Sequence, residues 1–86
     1  MLTRELVVNS STGLHARPAT LLVKKASSFK SNIYIEYNEK KANAKSLIGV
    51  LSLGVSKGAN ITISINGDDE VYAMDELVKL IESLPE

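Results

Sequence analysis

The clearest pattern in this 86-residue chain is the segment Asn60-Ile61-Thr62-Ile63-Ser64-Ile65-Asn66, where isoleucine alternates with a polar residue. A period of two places the isoleucines on one face of a β-strand and the polar side chains on the other. Such a strand needs cover on its apolar face only. The segment therefore predicts a sheet with one open face, on which we expect Thr62, Ser64 and Glu36 to meet solvent.

The residues on either side of this strand predict six further elements. After the turn at Gly67, Asp68 or Asp69 is expected to cap a final helix that Pro85 ends, with an apolar face of Val71, Met74, Leu77, Val78 and Ile81. Before the strand, the patterns predict a first strand over 2–8, a helix from Ala16 to about Ser27, strands at 33–37 and 40–43 joined by a tight turn at 38–39, and a short helix over 46–53.

The predicted order is βαββαβα. Strands with a single apolar face and helices to cover it indicate an α+β fold, an open-faced two-layer sandwich with a four-stranded antiparallel sheet and three helices on one face. A chain of this length corresponds to one domain, 1–86.

Composition excludes several classes of protein. The chain has no cysteine and one histidine, so disulfides, thiolate metal sites and cysteine nucleophiles are excluded, and we expect neither a metal nor a cofactor. No apolar run is long enough for a secretory signal or a membrane helix, which predicts a cytoplasmic protein with no membrane contact.

The charges are unevenly distributed along the chain. Residues 1–45 carry eight basic and three acidic side chains, a balance of +5, whereas residues 46–86 carry two basic and seven acidic side chains, a balance of −5. The sequence pI is about 6.6, and the aromatic residues are one Phe and three Tyr. This is unlike a nucleic-acid-binding module and favours acidic protein partners for the basic half; a merely solvated surface is the alternative.

The only histidine stands at a predicted helix start, in Gly13-Leu14-His15-Ala16-Arg17-Pro18-Ala19. Proline is tolerated in the first helical turn, so the helix begins at or just after His15. There the backbone N–H groups of Ala16 and Arg17, together with the Arg17 guanidinium, are candidates to bind phosphate, and a neutral imidazole is a nucleophile for phosphoryl transfer. The alternative is that His15 only caps the helix and Arg17 is a solvated charge.

This stretch resembles the active-site signature of HPr, the histidine-containing phosphocarrier of the bacterial sugar phosphotransferase system. A second stretch, Lys45-Ser46-Leu47-Ile48-Gly49-Val50-Leu51-Ser52-Leu53-Gly54, is similar to that family's regulatory-serine signature, and Lys57-Gly58-Ala59 follows it. The resemblance implies a phosphocarrier without catalytic activity of its own, in which Nδ1 of His15 accepts a phosphoryl group from enzyme I and passes it to enzyme IIA domains.

The resemblance also gives Ser46 a function beyond that of a helix N-cap. It implies phosphorylation by HPr kinase/phosphorylase, after which the phosphoserine form binds the catabolite control repressor. Docking of partners is expected on an exposed patch beside His15, formed by Leu47, Ile48, Leu51, Thr20 and Lys24. The alternative for the three apolar residues is that they belong to the core.

Two rival functions remain open at this point. One is a purely regulatory interaction module acting through Ser46, in which His15 is vestigial. The other is a small α+β hydrolase of the acylphosphatase type, which would hold an anion with backbone N–H groups and an arginine and would not need the histidine.

Overall fold

The computed structural model describes residues 1–84, and its seven elements follow the predicted order. The strands are β1 (Leu2–Val7), β2 (Asn32–Tyr37), β3 (Lys40–Asn43) and β4 (Asn60–Asn66), and the helices are α1 (Ala16–Ala26), α2 (Leu47–Ser52) and α3 (Glu70–Glu82). The prediction that Pro85 ends the last helix falls outside the described residues.

All strand pairs are antiparallel, in the order β1-β4-β2-β3, so the alternating strand β4 lies inside the sheet. Its three isoleucines are at most 1% exposed and pack with the buried side chains of the helices. The turn between β2 and β3 has positive φ at both Asn38 (53°) and Glu39 (66°), as a two-residue type I′ hairpin requires. The α+β open-faced sandwich is therefore confirmed.

Two local predictions about exposure are wrong. Ser64 lies on the open face but is only 6% exposed, because it sits between Thr3 and Tyr34 of the neighbouring strands. Val71 is 71% exposed, because it lies at the margin of the apolar stripe of α3, beyond Met74 and Val78. The stripe that α3 does bury consists of Ala73, Met74, Leu77, Val78 and Ile81.

The N-cap of α3 is at a predicted position, but the expected hydrogen bond is not made. Asp69 occupies the N-cap position, but its side chain makes no cap hydrogen bond. Its carboxylate accepts instead from the backbone N–H of Lys30 (2.9 Å), the backbone N–H of Ser31 (3.0 Å) and the Ser31 hydroxyl. The hydrogen bond from the Ser31 hydroxyl, followed by that from Lys30 N–H, lowers the pKa of Asp69 below its ordinary value. The carboxylate thus joins α3 to the connection between α1 and β2.

The helices α1 and α2 pack side by side in opposite directions. Ala44, just before α2, donates its N–H to Ile33 O (2.9 Å) in the strand that follows α1. At the other end of α2, Val55 O accepts from the N–H of Leu14 (3.0 Å), just before α1. Lys45, also just before α2, donates its ammonium N–H to Phe29 O (2.8 Å), just after α1. The start of α2 therefore lies near the end of α1 and the end of α2 near the start of α1, so the two helices run antiparallel.

Candidate phosphoryl-acceptor site

His15 is the N-cap residue of α1, as predicted. Its backbone is extended (φ −121°, ψ 161°), its side chain is exposed, and it makes no cap hydrogen bond to the helix. Pro18 stands in the first helical turn, where a missing N–H has no cost, and it is buried against the core. The imidazole therefore lies at the surface, and neither of its nitrogens is hydrogen-bonded to the start of the helix that follows.

The first turn of α1 offers donors to an anion beside the ring. Within residues 1–84, the N–H groups of Ala16 and Arg17 donate to no backbone group outside the helix, and the geometry of an α-helix leaves them without an internal acceptor. No carboxylate in this part of the chain forms an ion pair with the exposed Arg17. Free N–H groups, the positive end of the helix dipole and an unpaired guanidinium together favour a bound phosphate.

Ala16 follows His15 in an unusual backbone conformation. Its φ is 52°, in the left-handed region, which costs a non-glycine residue on the order of 1 kcal/mol. Such strain persists only where neighbouring contacts hold the backbone. Thr20 supplies one of these contacts, because its hydroxyl donates back to the helix, to Ala16 O at 3.1 Å.

A cleft of about 240 Å³ opens beside the helix start. It is lined by Ser10, Ser11, Thr12, Arg17, Pro18 and Leu21. No site residue was predicted among residues 9–13. The run Ser10-Ser11-Thr12, three hydroxyl residues immediately before the histidine motif, was the sequence feature that could have indicated this cleft.

Ser46 is the N-cap of α2, and its hydroxyl accepts from the N–H of Gly49 at 3.1 Å. The cap predicted from the sequence is therefore present. Because α1 and α2 are antiparallel, Ser46 lies towards the end of α1 and His15 at its start. The eleven residues of α1 correspond to about 16 Å along the helix axis.

The predicted docking residues lie at the surface. Leu47 is 39% exposed, Ile48 82% and Leu51 36%, whereas Val50 of the same helix is fully buried. The alternative that all three belong to the core is wrong, because Val50 and Leu53 take the inward positions. On the adjacent α1, Thr20 and Lys24 are also exposed. We call the set Leu47, Ile48, Leu51, Thr20 and Lys24 the docking patch.

Residues 1–84 contain no group of three or more His, Cys, Asp or Glu side chains that could hold a metal ion. No helix in the same range is long and apolar enough to cross a membrane. The cytoplasmic location stays a prediction.

Comparison with known proteins identifies relatives over nearly the whole chain. Residues 2–83 match the family model described as the PTS HPr component phosphorylation site. A solved structure of HPr-C-His from Thermoanaerobacter tengcongensis is 51% identical, with a TM-score of 0.94 over 96% of this chain and 93% of that one. The phosphocarrier protein HPr from Bacillus anthracis is 38% identical, with a TM-score of 0.90 over 93% and 95%. Crh, the Bacillus subtilis catabolite repression HPr, is 40% identical, with a TM-score of 0.68 over 93% and 95%.

Proposed function

The chain belongs to the PTS HPr family of phosphocarriers, and on that premise we propose that His15 accepts a phosphoryl group from phosphorylated enzyme I and passes it to enzyme IIA domains during sugar uptake. The family's members carry phosphate as stoichiometric intermediates and are not catalysts. In this proposal the domain predicted over residues 1–86 is the carrier unit.

The observation that carries the proposal is the free imidazole at the start of α1. A nitrogen of neutral His15 attacks the phosphorus carried by phosphorylated enzyme I, the bond between that phosphorus and enzyme I breaks, and the transferred group gains a P–N bond to His15. The new negative charge then lies beside the N–H groups of Ala16 and Arg17 and the unpaired guanidinium. Transfer to an enzyme IIA domain is a second exchange of the same kind, in which the P–N bond to His15 breaks as the acceptor group of that domain bonds to the phosphorus.

The docking patch supports recognition of several partners by one surface. Exposed apolar side chains at the centre of an interface supply most of the binding energy, and charged residues at the rim steer an oppositely charged partner. Ile48, 82% exposed, is suited to the first function. Arg17 and Lys24, which pair with no carboxylate within residues 1–84, are suited to the second with acidic partners.

A regulatory role at Ser46 is the finer part of the proposal. We infer that HPr kinase/phosphorylase modifies Ser46 and that the product binds the catabolite control repressor. The position of Ser46 beside Leu47 and Ile48 supports this, because a phosphate there changes the charge of the docking patch directly. Similarity to Crh makes a purely regulatory module the second candidate.

Reconstituted transfer separates the candidates. The chain is incubated with phosphoenolpyruvate and enzyme I, and the modified residue is located by mass spectrometry before and after mild acid. We expect acid-labile phosphate on His15. Phosphate found only on Ser46, after incubation with the kinase and ATP, would support the regulatory module. Turnover of an acyl phosphate by the chain alone would support the hydrolase instead.

A further inference from the structure

The turn before His15 lies directly against the loop that follows α2. Gly13 has a φ of 63°, and a Cβ at this position would overlap Val55 O and lie 2.7 Å from Ser56 Cα. The next residue, Leu14, donates its N–H to Val55 O at 3.0 Å. We call this approach of residues 13–14 to residues 55–56 the backbone contact; no side chain fits at residue 13 while it is formed.

Both sides of the backbone contact are anchored in the core. The side chains of Leu14 and Val55 are fully buried. The loop is tied to the end of β1 as well, since Val8 N–H donates to Ala59 O (2.9 Å) and Gly58 N–H donates to Val8 O (2.7 Å). The loop begins one residue after the C-cap of α2, so it joins the helix of the docking patch to the turn that carries the imidazole.

We propose that Gly13 is a positioning residue for phosphoryl transfer, because the close approach it allows sets where His15 stands relative to a partner docked on α2. The inference rests on the proposed function, since position matters only if His15 is the acceptor. A displacement of about 1 Å between reacting groups reduces a rate on the order of 100-fold. Gly13 is not in the docking patch, so its replacement should lower kcat and leave KM nearly unchanged.

The chain offers a matched control for this test. Gly54 has a φ of 69°, close to that of Gly13, but a Cβ there meets nothing within 4 Å. Gly13→Ala and Gly54→Ala therefore impose the same left-handed strain on alanine, and only the first forces a side chain into the backbone contact. Acceptance from phosphorylated enzyme I is measured against the concentration of each variant, together with amide hydrogen exchange of Leu14.

We expect Gly13→Ala to lower kcat by about 10- to 100-fold with KM within about 2-fold, and to speed exchange of the Leu14 amide. Gly54→Ala should keep the wild-type kcat. Equal kcat for the two variants would overturn the inference, as would a Leu14 amide that exchanges freely in the wild-type chain. If the wild-type chain accepts no phosphate on His15, the proposed function fails first and the inference fails with it.

A second pair of variants covers the case in which Gly13→Ala does not fold. Val55→Ala loosens the loop without adding atoms, and Val78→Ala removes the same two methyl groups from α3, away from the site. Val55→Ala should lower kcat several-fold with Val78→Ala unchanged at a temperature where both are folded. Equal kcat for this pair would also overturn the inference.

Discussion

The first two helices of this protein begin in opposite ways. Both N-cap residues have extended backbone, but His15 makes no side-chain hydrogen bond to α1, whereas the Ser46 hydroxyl accepts from Gly49 N–H in α2. The start of α1 is therefore suited to phosphoryl transfer, and the start of α2 contributes to the stability of its helix. A free cap leaves both the imidazole and the first N–H groups of α1 available to a phosphoryl group, while a satisfied cap stabilises a helix of only six residues by about 1 kcal/mol.

The largest effect tests the free cap. His15→Ala should reduce acceptance from enzyme I to background and change the free energy of unfolding by less than about 0.5 kcal/mol, because an exposed residue without a cap bond adds little to stability. Radiolabel transfer and urea unfolding are the measurements, and Ser46→Ala, which keeps the imidazole, is the control. Labelling retained in His15→Ala would end the carrier assignment.

The next effect tests the charge beside the free cap. Arg17→Glu should slow transfer to and from His15 by roughly 10- to 100-fold, because a carboxylate replaces the cation next to the phosphate. Arg4→Glu makes the same exchange at an exposed site in β1 and should leave transfer rates close to wild type. Transfer rates for the two variants are compared in stopped flow. If both slow equally, the effect comes from net charge and Arg17 has no local function.

A smaller effect tests whether Ser46, whose hydroxyl caps α2, can regulate phosphoryl acceptance. Ser46→Asp should slow acceptance several-fold at low salt through a higher KM, because it places a negative charge next to the docking patch. Ser46→Asn is the neutral control of the same shape. The added charge lies at the start of α2, towards the end of α1 and not beside His15, so kcat should not change, and the rise in KM should shrink as added salt screens the charge.

The same pair also measures stability. Ser46→Asp should be more stable than Ser46→Asn by ~0.3 to 1 kcal/mol, since the carboxylate interacts favourably with the helix dipole. Identical KM for the two variants at every salt concentration would mean that a charge at Ser46 does not affect a partner bound to the docking patch.

The smallest effect concerns the third helix start. The pKa of Asp69 is lowered in the folded chain, so its carboxylate stabilises the fold above the ordinary value of 3.8 and loses this effect as the pH falls through the lower, folded value. Wild type should therefore unfold at higher urea than Asp69→Asn near neutral pH, and the difference should shrink below about pH 4. Asp68→Asn, which keeps the bonds of Asp69, should show the wild-type loss at low pH. A difference that does not depend on pH would assign the effect to hydrogen bonding alone.

Sequence patterns predicted the elements and the site motifs well where a single local rule applies. The strict alternation of residues 60–66 and the position of Pro18 needed no tertiary information, because pleat and ring geometry are properties of the local backbone. Prediction failed where a contact with a residue distant in the sequence decided which hydrogen bonds a side chain makes. Asp69 is a good helix cap by residue type, yet its carboxylate bonds to Lys30 and Ser31, almost forty positions away along the chain.

By itself, the sequence determined the order of the elements, the position of His15 at the start of a helix, and the Ser46 cap, because hydrophobic periodicity and capping are local. Only the tertiary structure decided that α1 and α2 run antiparallel, that Leu47, Ile48 and Leu51 stay at the surface, and that Gly13 meets Val55. These are contacts between segments distant in the chain. They depend on how the elements pack on one another in the folded chain, and a local sequence pattern does not specify this packing.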